Sequence, residues 1–144
     1  MRKVLIVTGP GGDAQGWGDM KVTETLCETL NSDDLAAEIA YVTTTKEFLQ
    51  ALSGRRYDIV WSALYCVSQR EDIIGLGEDD EWVADMLDER GIPYIGPSAR
   101  TMKELIQKYE THRIMRENGV LVPDFNLVAA GDALPEVAYP AFVK

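Results

Sequence analysis

Cysteine is scarce in this chain: Cys27 and Cys66 are the two among 144 residues. Neither has a CxxC partner, so they form no disulfide framework and no zinc knuckle, and a reducing cytoplasm is the expected setting. Histidine is scarcer still, with His112 alone. Positive charge is also short. The chain has 14 Lys+Arg against 24 Asp+Glu, a net charge of -10 and a pI near 4.5. That balance excludes the basic surface a nucleic-acid binder needs to neutralise phosphates. No apolar run approaches the roughly 18 residues of a membrane span, so no membrane partner is expected. After Met1-Arg2-Lys3, the run Val4-Leu5-Ile6-Val7 is too short for a signal-peptide core. Internal repeats, low-complexity tracts, a Walker A loop and a GxSxG elbow are all missing.

What is present is a globular composition, 46% apolar and 26% charged, long enough for one domain or one domain and the start of another. The opening run 3–8 is β-branched and apolar, as in a strand buried on both faces of a parallel sheet, and Gly9-Pro10-Gly11-Gly12 ends it. Met20, Val22, Leu26, Cys27 and Leu30 then fall at helical spacing. Residues 38–43 read as a second strand. Thr44-Thr45-Lys46-Glu47 has capping-box spacing before Phe48, Leu49 and Leu52. Residues 57–63 read as a third strand and 64–77 as a long loop. Glu78 to Arg90 is expected to be a helix ended by Gly91, and 93–95 a fourth strand ended by Gly96-Pro97. Ser98 is placed to cap a helix bearing Met102, Leu105 and Ile106, and a further helix over about Tyr109 to Asn118 ends at Gly119. The fold class predicted is α/β: an open parallel sheet with helices on both faces, Val4, Ile6, Ile59 and Val60 being buried. Gly119 and Pro123 bracket a linker, giving domains 1–119 and 120–144.

Three constellations invite chemistry. Gly9-Pro-Gly-Gly-Asp-Ala14 satisfies GxGxxA after a strand, but Thr43-Thr44-Thr45 ends the second strand where a dinucleotide site wants an acid. A ligand crevice beyond the carboxyl ends of strands one and three, lined by Gly11, Gly12, Asp13, Gln15 and the 64–79 loop, stands beside a bare β–α turn. Residues 70–90 hold nine acidic side chains. They offer a hard-cation site, or else Glu78–Glu81 form the first turn of a helix and complement its dipole; the second reading is preferred and no metal is assigned. His112 is either a general base or a solvated or half-buried helical side chain.

The stretch Gly91-Ile-Pro-Tyr-Ile-Gly-Pro-Ser98, continuing through Lys108 to Gly119-Val-Leu-Val-Pro123 and Pro140-Ala-Phe-Val-Lys144, resembles ATP-grasp ligases. The opening Val-Thr-Gly-Pro-Gly-Gly and Gly77-Glu78-Asp79 look most like D-alanine–D-alanine ligases. The resemblance implies a Rossmann-like pre-ATP-grasp domain followed by the first strands of a truncated ATP-grasp domain, because Phe142-Val143-Lys144 reads as a strand stopped mid-element. It implies ATP and Mg2+ for the complete enzyme, with neither bound by this chain alone. Lys108 and Lys144 would be phosphate ligands, and Glu78 and Asp79 would join the crevice residues at an amino-acid or carboxylate substrate. A two-fold homodimer through this domain is also implied. The reaction implied is formation of an acyl phosphate that an amine attacks. The loop 13–19 has no Glu where the family carries one for the first substrate's amino group. Leu64-Tyr65-Cys66 replaces a usual His-Gly, and Asp80 replaces a Gly. Substrate identity therefore stays open. The alternatives are another ATP-grasp enzyme of biotin-carboxylase type, or a non-catalytic α/β metabolite-binding domain.

Overall fold

The computed structural model describes residues 1–10, 12, 19–54, 56–67 and 80–136. The chain forms two compact units, Met1–Met102 and Lys103–Lys144.

The first unit begins with β1 (Arg2–Thr8), α1 (Met20–Leu30), β2 (Leu35–Tyr41), α2 (Thr45–Leu52) and β3 (Ile59–Ser62). There follow β4 (Cys66–Val67), β5 (Glu81–Trp82), α3 (Val83–Asp88), β6 (Tyr94–Ile95) and the start of α4 (Ala99–Ile106). The main sheet has the order β2-β1-β3-β6, and every pairing in it is parallel. The apolar run Val4–Val7 is continuous because β1 is covered on both faces. Alternation then divides it. Leu5 and Val7 join Val42, Phe48, Val60 and Leu87 under α2 and α3, while Val4, Ile6 and Ala37 pack with Leu26, Cys27 and Leu30 of α1. The parallel α/β class is as predicted.

Two expectations need correction. Val4, Ile6 and Val60 are buried, but Ile59 is only partly so. Helix α1 packs on β2 and β1, and next to it the sheet face carries a cavity of about 450 Å³ lined by Val4, Leu30, Ile59, Trp61 and Ile95 among others. The helix expected from Glu78 is also shorter. Glu81 and Trp82 pair antiparallel with Val67 and Cys66, and α3 starts at Val83 with Asp85 as the acid of its first turn. The preferred explanation of the acidic run as a helix first turn therefore fails for 80–82; Glu78 and Asp79 lie outside the described residues.

The caps follow the sequence more closely. The Thr44 side chain accepts the Glu47 N–H at 3.3 Å. Glu47 reaches one residue further back than the usual box, accepting the Thr43 N–H and hydroxyl, each at 2.7 Å. Helix α3 ends where Gly91 takes φ 61° and Ile92 N–H donates to Leu87 C=O at 3.0 Å, a Schellman ending that favours glycine.

The second unit holds the end of α4 and α5 (Lys108–Glu117). Gly119, at φ 76°, closes α5 in the same way, with Val120 N–H on Met115 C=O at 2.9 Å. The chain then turns back along α5. Phe125 meets Tyr109 edge-on at 5.4 Å and His112 at 5.2 Å, and the Arg116 guanidinium lies 4.4 Å from its ring centroid. His112 is half-buried in this aromatic contact, which supports the structural reading of that residue over a general base.

Two outcomes test this account. Phe48 is fully buried in the larger core, so Phe48→Ala should cost about 3–5 kcal/mol in urea unfolding; a near-neutral result would contradict the packing. The Thr43 N–H and hydroxyl hold the Glu47 carboxyl below its ordinary range. A depressed carboxylate stabilises the fold above its unfolded value and stops doing so as pH falls through the folded one. Stability should therefore drop on the acid side of about pH 4.5, and Glu47→Gln should flatten that part of the profile.

Candidate functional site

A parallel sheet of order β2-β1-β3-β6 reverses its winding between β1 and β3. In open parallel sheets the loops beyond the carboxyl ends of such a strand pair diverge, and ligands bind there. From β1 comes the turn at Gly9, closed by Gly12 N–H on Gly9 C=O at 2.9 Å. From β3 comes Ala63, whose N–H reaches Val7 C=O at 2.8 Å, and then Leu64. The Ser62 hydroxyl donates to Leu64 C=O at 2.7 Å and accepts Leu64 N–H at 3.1 Å, a tight local turn that fixes the chain as it leaves the strand. Tyr65 is half-buried, and its carbonyl accepts Val83 N–H at 3.0 Å, tying this wall to the β4–β5 ladder and to α3.

Gly9 is required by space. A Cβ there would stand 2.1 Å from the Val42 carbonyl oxygen and 3.2 Å from Leu64 Cδ1. The first of these is backbone at the carboxyl end of β2 and cannot swing aside. The turn is thus held against both neighbouring strands' ends, and no side chain separates them. On the β2 side, Thr45 is buried at the start of α2, and its hydroxyl has no hydrogen-bond partner among the described residues. The fold carries that desolvation cost at the same end of the sheet.

Of the crevice residues expected from sequence, Gly12 is buried in this turn. Gly11, Asp13, Gln15, Glu78 and Asp79 lie outside the described residues. Lys108 is the first residue of α5 in the second unit. Its ammonium is exposed and donates to Leu105 C=O at 3.3 Å, which leaves two of its three donors for another acceptor. Lys144 lies outside the described residues. Among the described residues no group of three or more His, Cys, Asp or Glu side chains converges as metal ligands, and no helix is long and apolar enough to cross a membrane.

Sequence reasoning missed the Ser62 turn and the β4–β5 ladder. Two-residue strands give no periodicity to read. The one available signal was Leu64-Tyr65-Cys66-Val67, an apolar run inside a segment read as loop.

Replacing Gly9 by Ala should destabilise the chain by about 1–3 kcal/mol, the usual range for forcing extra volume into packed structure. Thermal unfolding reads this directly, and an unchanged melting temperature would mean that the turn is not seated on Val42.

No protein-family model matches the chain. It is 35% identical over 69 residues to the D-alanine–D-alanine ligases of two strains of Nitratidesulfovibrio vulgaris, DP4 and Hildenborough. That match takes in 46% of this chain and 23% of each relative, so the chain spans about a quarter of the curated relatives' length. Among solved structures, D-alanine–D-alanine ligase from Bacillus anthracis complexed with ATP superposes over 94% of this chain and 42% of its own, with a TM-score of 0.62 and 15% identity. The chain therefore shares the fold of part of a D-alanine–D-alanine ligase, with a partial sequence similarity to such ligases.

Proposed function

We propose that this chain supplies the N-terminal, substrate-binding part of an ATP-dependent carboxylate–amine ligase of the D-alanine–D-alanine ligase type, working in the cytoplasm. The observation that carries this reading is the strand order β2-β1-β3-β6, which puts a switch point, the usual ligand position of open parallel sheets, between β1 and β3. The fold shared with the Bacillus anthracis ligase and the 69-residue sequence similarity support it. Bound ATP would supply the phosphoryl group that turns a carboxylate into an acyl phosphate open to attack by an amine. Lys108 fits the nucleotide side, since its ammonium is exposed and retains free donors toward phosphate oxygens. Lys144 is proposed to act beside it. Mg2+ would supply positive charge against the developing charge on the phosphates. The described residues contain no carboxylate cluster for it, so its ligands are assigned to no residue of this chain.

The small-molecule side of the proposal assigns amino-acid or carboxylate recognition to Gly12 together with Gly11, Asp13, Gln15, Glu78 and Asp79. An amide-resolved NMR titration of the 144-residue chain with a panel of D- and L-amino acids tests it. Shifts should concentrate at Thr8, Gly9, Gly12 and Ala63–Tyr65. Shifts confined to the opposite end of the sheet, or none with any member of the panel, would remove the crevice from consideration. The chain alone should release no phosphate from Mg-ATP, because a phosphoryl-transfer site needs donors placed all round the transferring group. Steady turnover would show a complete enzyme instead.

A further inference from the structure

Strand β2 lies at the edge of the main sheet. Residues Ala36, Glu38, Ala40 and Val42 share the backbone orientation that faces β1, as Val42 N–H on Thr8 C=O shows. Leu35, Ala37, Ile39 and Tyr41 therefore turn their N–H and C=O groups outward. Such a row is a template for another strand.

Here its middle is occupied by a side chain. Asn31, the residue that follows α1, accepts Ala37 N–H on Oδ1 at 2.9 Å and points Nδ2 at Ala37 C=O at 3.3 Å. Its carboxamide thus takes both outward groups of Ala37, as a neighbouring strand would. Its orientation is fixed from two sides, because Nδ2 also donates to Cys27 C=O at 2.8 Å. The Cys27 thiol adds a contact to Ala37 C=O at 3.4 Å. One residue earlier in the row, Leu35 C=O is taken by Ser32 N–H at 3.0 Å.

We propose that Asn31 is a built-in block on strand addition at the β2 edge, and that the partner it excludes is a second copy of this chain. The outer row is self-complementary. If two β2 strands meet antiparallel about Ile39, then Ala37 faces Tyr41, Ile39 faces its counterpart, and Glu38 faces Ala40. No like charges oppose one another. Of the three hydrogen-bonded pairs this forms, two need Ala37. With Asn31 in place only the Ile39 pair remains, too little for a stable ladder. The block acts independently of the ligase reading, since it uses no residue of the crevice.

Two measurements decide it. In the unmodified chain, amide exchange at Ala37 should be slower than at Ile39, its neighbour in the outer row, by roughly tenfold or more. Equal, fast exchange at both would overturn the proposal. In Asn31→Ala, light scattering should show the mass doubling relative to the unmodified chain. Adding Tyr41→Pro should reverse the doubling, because proline removes only an outward N–H at that position. A purely structural role in closing α1 would lower stability in Asn31→Ala without changing mass. A folded Asn31→Ala of unchanged mass refutes the block. If that variant fails to fold, the exchange comparison in the unmodified chain decides alone.

Discussion

Strand β1 is paired on both edges, with β2 and β3, and buried on both faces from Val4 to Val7. Each of these side chains contributes on the order of 1.5–3 kcal/mol by leaving water, and alternate residues commit to opposite layers. Every other element of the first unit is placed relative to this strand. Helix α1 covers Val4 and Ile6, α2 and α3 cover Leu5 and Val7, and the winding reverses beside it. The switch point between β1 and β3 is a geometric result of that reversal rather than of any one residue.

The same constraint shapes the site's chemistry. Because β1 is central, the turn that follows it must leave the sheet between two occupied neighbours. Gly9 passes within a side chain's width of Val42 and Leu64, which excludes any residue with a Cβ. The structural consequence is a turn whose backbone, rather than a side chain, is seated against the ends of both neighbouring strands. The second unit is built on a different principle. A single aromatic ring, Phe125, is held by Tyr109, His112 and Arg116, fastening the returning chain to α5.

Much of this was legible in advance where a signal was local and redundant. The run 4–7, the Thr44–Glu47 cap and the terminating glycines at 91 and 119 each combine a spacing with a residue type that few other structures accept. The long acidic helix was misread because a patterned acidic stretch looks like a helix start, while the pairing of Glu81-Trp82 with Cys66-Val67 depends on a contact between distant segments. Of the candidate site, Gly12 lies buried in the turn that follows β1, as its place in the sequence requires. The seating of Gly9 on Val42 and Leu64 was not legible, because it arises only when β2 and β3 are laid next to β1.

The sequence by itself determined the class of the fold, since periodicity, caps and glycine stops are written in neighbouring residues and act before any long-range contact forms. It also carried the likeness to ATP-grasp ligases through the order of its motifs. Strand order, the exclusion of a side chain at Gly9 and the engagement of the β2 edge by Asn31 come from tertiary structure alone. Each is a relation between backbone segments brought together by burial, and backbone groups are the same in every residue, so no residue pattern records which of them will meet.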